Sequence, residues 1–516
     1  MSNSLNPKIE GGIDAVVLGG GFDAFATSAL LGKAGLQVVQ VEAGLRPFDH
    51  DRWQFSEGFY ADEADDLVFD LDADLVKQLD LYRFGLKFAR RRIASVYRFR
   101  DGATLKLDGD LTVFREAVAG NEKLPAETVS ELVEDIMGHA RHLRSELDAG
   151  NPGLANEAHR HPTLSALMNL PAEAVFCGLT DNTYLVEWLL SEALLRRQAR
   201  PDDPQSGAAL VQNWAGQVLG LQGAVGYPVG GLRSLTEAAR RAAQAHGVNF
   251  RQAARVDRLL VEWDAAAGVE LEDGSQIRAP IVISTLPVEE AFDRHVGRDR
   301  LDIEFSQALE KSTSEAVFAK VVFALPEGLP DGFFSKNADQ RMVFPISQAD
   351  LYRAHRTSRH QAPTETVLTE IFFHGNEKGK VPRRGPVTGQ AVLGPFSLTL
   401  LTEHPEVALT CLTNLLVDVE PALSGKVTGL EILSTGARSN VHGELKRRAA
   451  CLTGAGINGY YVCGPDGDPG PGGFWTRFHL PMEPGGFLLD NLSLGSGRGA
   501  RQAAQSAIRY YRTEIA

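Results

Sequence analysis

The spacing of apolar residues changes twice in the first forty positions. Ile13 and then Ala15 to Leu18 form an apolar run that stops at three consecutive glycines, Gly19, Gly20 and Gly21. Phe22, Phe25, Ala26, Ala29 and Leu30 then recur at helical spacing, and a second apolar run ends at Glu42. Short unbroken apolar runs suit strands covered on both faces, and a 3.6-residue period suits a helix, so the order predicted is strand, tight turn, helix, strand. Gly19 can take the backbone angles of the turn, Gly21 lets a pyrophosphate approach the main chain, and small Ala24 lets helix and strand pack closely. The helix start presents unpaired N–H groups and the positive end of its dipole, an anion site made without a basic side chain. Glu42 follows the glycines by about twenty residues, where a carboxylate can accept hydrogen bonds from an adenosine ribose. The alternative is an ordinary strand-to-helix turn, with Glu42 a solvated strand end.

Further along, residues 95–107 read as a short pair of strands, 111–147 as amphipathic helices and 171–200 as helical. In the last stretch Leu185, Trp188, Leu189, Leu190, Ala193 and Leu194 share one broad face, a core stripe or else the lining of an apolar cavity or a membrane-surface contact. Residues 226–287 give a glycine turn at Gly230 and Gly231, a helix, and strands at 248–250, 256–263, 269–271 and 280–284. A helix followed by short strands fits a return of the chain to the first sheet, so the second core interrupts the first instead of following it. Residues 315–324 and 366–373 are strand-like. A last strand at 459–463 enters a glycine and proline loop, and a terminal helix starts near Ser496, a reasonable cap.

Composition narrows the classes. At 516 residues, 43% hydrophobic and 23% charged, the chain has the make-up of a globular protein with two or more cores. A net charge of -14 argues against nucleic acid as a partner, and the short basic clusters at 90–92, 196–200 and 446–448 read as solvated faces. Cys177, Cys411, Cys451 and Cys463 form no C-x-x-C pair, which suggests neither a disulfide framework nor a zinc site and favours a reducing compartment. The acidic residues crowded between Asp62 and Asp74 lack a recurring oxygen-ligand spacing, so they read as a turn and helix entry and no metal is expected. His159 and His161 fall in a polar loop and read as solvent-exposed. The opening residues lack a signal pattern and no run reaches the roughly eighteen apolar residues of a membrane span. The expectation is a cytoplasmic protein, with a peripheral membrane or protein partner and the oligomeric state left open.

Several longer stretches carry a resemblance. These are DAVVLGGGFDA with VVQVEA, LYRFGLKF, YPVGGLRSL followed by VNFRQAARVDRL, then VISTLP, AVFAKVVFAL and finally YYVCGPDG. In this order and spacing they resemble the phytoene-desaturase-like branch of FAD-dependent oxidoreductases, which includes the pyridine nucleotide-disulfide oxidoreductase domain proteins. The similarity covers most of the chain. It implies an α/β fold with a Rossmann-like FAD-binding domain and a discontinuous substrate domain of mixed sheet and helices. The order of the blocks assigns 1–75, 220–300 and 455–516 to the first and 76–219 and 301–454 to the second.

By the same resemblance, Gly19, Gly20, Gly21, Phe22, Asp23 and Ala24 would surround the pyrophosphate of FAD, and Glu42 with Ala43 the adenosine ribose. Val256 would offer its backbone to the adenine, and Gly464, Pro465 and Asp466 would approach the ribitol and pyrophosphate. The implied activity is a dehydrogenase or desaturase in which flavin accepts a hydride from a carbon centre of a small organic substrate, with apolar lining suiting a polyene or lipid. No catalytic side chain is identified. Two alternatives stand beside it: a flavin amine oxidase, and a catalytically reduced relative acting as an assembly partner. The second is motivated by two departures from the family pattern. AGLRPFDHDRW follows Glu42 where a Gly-Gly segment is usual, and residues 473–494 form an insertion. That insertion carries Phe474, Trp475, Arg477, Phe478 and His479 and is expected to control access to the flavin.

Overall fold

The computed structural model describes residues 12–43, 53–62, 66–107, 126–149, 162–197, 199–203, 206–263, 265–286, 290–301, 303, 316–359, 366–436, 460–462 and 498–515. Two sheets organise them. The first has five strands in the order Asn249–Arg251, Val38–Val41, Ala15–Leu18, Ile281–Ser284, Tyr460–Val462, and every pairing is parallel. Strands far apart in sequence therefore share one sheet, with Val16 opposite both Val39 and Val282.

Both faces of this sheet are covered, which is why its strands are apolar without alternation. Ala15 and Val17 point into a core shared with Phe25, Leu31, Leu235 and Ala504, from the helices Phe22–Lys33, Gly231–Ala245 and Arg498–Tyr510. Val16 and Leu18 point the other way. They meet Val256, Val269, Leu271 and Phe292, from the antiparallel strands Val256–Glu262, Ala265–Leu271 and Gln276–Arg278 and the π-helical turn Glu290–Gly297. The first core continues past residue 75, taking in Val76, Leu79, Leu81 and Leu86.

The second sheet has seven strands, in the order Thr428–Gly436, Ala316–Leu325, Val387–Ser397, Leu368–Phe373, Arg341–Phe344, Ser95–Arg98, Thr104–Leu107. Neighbours are antiparallel except Arg341–Phe344 with Ser95–Arg98, which are parallel. One face packs on the helices Ala126–Ala149, Pro162–Asn169, Ala172–Leu179, Thr183–Leu194 and Ala208–Ala215. Leu185, Trp188, Leu189, Leu190, Ala193 and Leu194 all lie in that core, Trp188 against Trp214 with ring centroids 5.6 Å apart. The stripe is thus core packing, which removes the cavity-lining and membrane-surface readings.

Segments 66–90 and 217–228 join the two layers. Tyr227–Pro228 pairs with Phe88–Arg90. Leu67, Val225 and Tyr227 pack on Phe372 of the second sheet, while Leu71 and Val218 lie in the first core. The acidic stretch of this region has local work to do. Asp72 caps the helix Ala73–Gln78 by accepting from the N–H groups of Asp74 (2.9 Å) and Leu75 (3.3 Å), and also binds Arg501 at 2.6 Å. Asp70 receives Arg144 at 2.8 Å. These carboxylates are a helix cap and an ion-pair partner, as a turn and helix entry require. The segment after Glu42 (44–52), His159, His161, Gly464, Pro465, Asp466 and the insertion 473–494 lie outside the described residues.

Candidate cofactor site

The site forms where the first strand, Ala15–Leu18, turns into the helix that starts at Phe22. Gly19 donates its N–H to the Val41 carbonyl at 3.0 Å, and its φ of 126° lies where only glycine is comfortable. A Cβ there would sit 2.1 Å from Thr285 Oγ1, which itself donates to the Leu18 carbonyl at 2.9 Å. Two independent constraints thus hold this position as glycine. Gly21 is the N-cap, extended and without a side-chain cap, and the space a Cβ would take there is open to 4 Å. The helix start therefore carries no side-chain cap from its N-cap residue, and such a start suits an anionic group.

Glu42 lies across from this turn. Its backbone is fixed on both sides, its N–H donating to the Arg251 carbonyl at 2.9 Å and its C=O accepting from Ala254 at 3.0 Å. The side chain is folded in beside Gly20, whose missing Cβ would stand 3.8 Å from the carboxylate. Only 2% of the residue is exposed, so it is not a solvated strand end. Burial pushes its carboxyl up to about 7, against a smaller opposing pull from the Arg240 charge. Gln40, fully buried, donates from Nε2 to the Gly19 carbonyl at 3.0 Å and lies 3.5 Å from Glu42 Oε1. It braces the turn against the carboxylate.

Gly19, Gly20, Glu42, Ala43 and Val256 line one cavity of about 260 Å³. That is slightly below the roughly 300 Å³ at which pockets enclosing a whole drug-sized ligand begin, so the cavity suits one part of a longer ligand. The side chains of Phe22, Asp23 and Ala24 do not line it. Phe22 and Ala24 are buried in the core, with Ala24 Cβ 3.6 Å from the place a Gly19 Cβ would take, and Asp23 is half-buried in the first helical turn. These three residues offer the site only main chain or close packing.

Several lining residues escaped the sequence reading. Arg255, Glu290, Arg294 and His295 border the cavity, the last three from the π-helical turn. His295 is 2% exposed, and burial, with Arg294 acting the same way, pushes its imidazole down to about 4 against a hydrogen bond to the Val256 backbone. It is therefore neutral near pH 7. Gln40 was legible in principle, as a polar residue inside the apolar run VVQV, and Thr285 as part of VISTLP. Nothing local marks His295, which reaches the site only through tertiary packing.

A parallel sheet, a glycine turn at an uncapped helix start and a buried acid at the end of the second strand together form a dinucleotide cradle. The model of flavin-containing amine oxidoreductases matches residues 30–373. The chain belongs to this family. Such proteins are flavoprotein oxidoreductases, which implies FAD as the cofactor, and the cradle fits it: the open N-cap suits its pyrophosphate and the buried carboxylate its ribose. Pyridine nucleotide-disulfide oxidoreductase domain-containing protein 2 of Rattus norvegicus is 23% identical over 425 residues, 75% of this chain and 71% of the rat protein. A phytoene desaturase of Cercospora nicotianae is 25% identical over 292 residues, 54% of this chain and 46% of the fungal protein, so the match spans under half of that enzyme. Among solved structures, putrescine oxidase bound to putrescine superposes with a TM-score of 0.59 at 16% identity, over 98% of this chain and 99% of that one. This likeness establishes the shared α/β fold of the family member over nearly its full length.

Proposed function

We propose that this flavin-containing amine oxidoreductase family member is an FAD-dependent oxidoreductase that removes a hydride from a carbon centre of a small organic substrate. The single observation that carries the reading is the buried Glu42 carboxylate, which opens into the same cavity as the glycine turn and Val256. In this reading the uncapped helix start at Gly21 holds the pyrophosphate, Glu42 accepts from the ribose hydroxyls, and the Val256 main chain meets the adenine. Bound FAD supplies the hydride acceptor.

The chain's own part is to bind and orient. Gln40 and Thr285 fix the turn, so the main-chain N–H groups need not reorganise when the phosphates arrive. His295 beside Val256 is neutral and adds no charge of its own next to the base. Among the described residues, 13–43, 231–263, 265–286, 290–300, 460–462 and 498–515 act as the cofactor half, and the seven-stranded sheet with its helices as the substrate half.

The test is the absorption spectrum of purified wild-type protein beside Glu42→Ala. Wild type should be yellow with bound oxidised flavin, and the variant should lose FAD on gel filtration. Colourless wild-type protein that binds a nicotinamide dinucleotide tightly would contradict the proposal.

A further inference from the structure

The π-helical turn Glu290–Gly297 divides its side chains between two jobs. Ala291, Phe292 and Val296 are buried against Val256, Leu259 and Val269, which fixes the turn on the antiparallel strands. Glu290, Arg294 and His295 border the cavity that Glu42 and Val256 also line. Single π-helical turns recur at functional sites, where the wider turn sets a side chain in a place a regular helix would not.

The three cavity-lining residues of the turn are not equivalent. Arg294 is exposed and pairs with Glu272, and Glu290 is only half-buried, so both have water or a protein partner. His295 has little of either. It is 2% exposed, and its Nδ1 is buried without a hydrogen-bond partner among the described residues. Buried ring nitrogens are ordinarily satisfied, and one that is not calls for a reason.

The tautomer says what kind of partner is missing. The ring bonds the Val256 backbone, and that bond favours the protonated imidazole, so it runs from a ring N–H to the carbonyl oxygen. With Nδ1 unpartnered, the donating nitrogen is Nε2. The neutral ring carries one proton, which leaves Nδ1 as a bare acceptor. The missing partner is therefore a donor, and the open space that His295 borders is the cavity. Its ribose end is marked by Glu42 and its base end by Val256, the residue to which the imidazole is tied. Leu18, Val41 and Leu286 add apolar walls suited to the faces of a flat base.

We infer that His295 reads the base of the cofactor, its Nδ1 accepting a hydrogen bond from the exocyclic amine of adenine. The cavity then takes an adenine dinucleotide and turns away one with a carbonyl in that position, such as hypoxanthine, because the Val256 carbonyl holds the ring's proton on the other nitrogen. This rests on the FAD reading above and adds to it the side chain that chooses the base.

The experiment removes flavin from the full-length wild type and from His295→Asn, His295→Leu and His295→Phe. Asn and Leu share a shape, and only Asn can offer an acceptor close to the place of Nδ1. Phe keeps a ring without nitrogen, so the comparison survives if one variant fails to fold. Each protein is titrated with FAD and with its hypoxanthine analogue, read by flavin fluorescence, and with ADP and inosine diphosphate, read by calorimetry. Wild type should prefer each adenine ligand by at least about tenfold. His295→Asn should keep most of that preference, and His295→Leu and His295→Phe should lose most of it. Wild-type preference retained by Leu and Phe overturns the inference, because the main chain at Val256 then reads the base alone. No preference in wild type, or an Asn variant that behaves as Leu does, overturns it too. A wild type that prefers ADP in this way but does not bind FAD defeats the cofactor reading and leaves the role of His295 standing, whereas failure to bind any of the four ligands defeats both.

Discussion

Glu42 is the residue on which pH should act most visibly. Its folded-state value of about 7 lies above the ordinary 4.5, so burial of the neutral acid favours the cofactor-free fold most below about 4.5. That contribution is lost as pH rises through about 7, a window worth up to about 3 kcal/mol. Ribose hydroxyls donating to the carboxylate favour the ionised form, so FAD binding should expel a proton and tighten with pH. Titration of apo-protein with FAD should show about tenfold higher affinity near pH 8 than near pH 6, and Glu42→Gln should flatten the profile. At Gly19, Ala would meet Thr285 Oγ1 at 2.1 Å with a φ of 126°. The variant should lose at least about 2 kcal/mol in denaturant melts, and Thr285→Gly in the same chain should restore only the steric part. The turn and the acid were legible because their sequence signals, the apolar runs, the glycines and Glu42, lie within thirty residues, although Thr285, Arg251 and Ala254 also hold them. Arg294 and His295 were not, because they arrive from 250 residues away on a π-helical turn that no local period announces.

Among the elements, the buried ion cluster joining three strands and the chain after a helix makes the sharpest prediction. Burial alone would raise the Glu370 carboxyl, but Arg196 and Arg341 outweigh it and hold it down at about 2. Its contribution to stability is full above about 4.5 and is lost as pH falls toward 2. Glu370→Leu would strand two buried guanidiniums and should cost about 3 to 5 kcal/mol in urea unfolding. Replacing the cap Asp72 by Ala removes acceptors for Asp74, Leu75 and Arg501 and should lower the melting temperature with a loss of about 1 to 3 kcal/mol. The strands themselves could be read closely. Residues 315–324 and 366–373 became Ala316–Leu325 and Leu368–Phe373, and the terminal helix expected near Ser496 begins at Arg498. Their neighbours could not. Apolar strands carry no label for the strand beside them, so the parallel pairing of Arg341–Phe344 with Ser95–Arg98 has no local signature.

At the scale of the whole molecule, a dinucleotide cradle assembled from distant segments is joined to a second, seven-stranded sheet. The order of sequence blocks already suggested that the chain leaves the first sheet and returns, and strands from 15–18, 249–251, 281–284 and 460–462 do meet there. What the blocks could not give was the junction, where Leu67, Tyr227 and Phe372 bring the layers together. The account stands most directly on whether FAD occupies the Glu42 cavity. The deciding measurement is the FAD released per chain from denatured wild type, Glu42→Ala and Gly19→Ala, purified identically. Wild type should yield close to one FAD per chain. Glu42→Ala should bind with a loss of about 1.5 to 3 kcal/mol and Gly19→Ala should hold little. Equal FAD in all three proteins, or none in the wild type, would contradict the account.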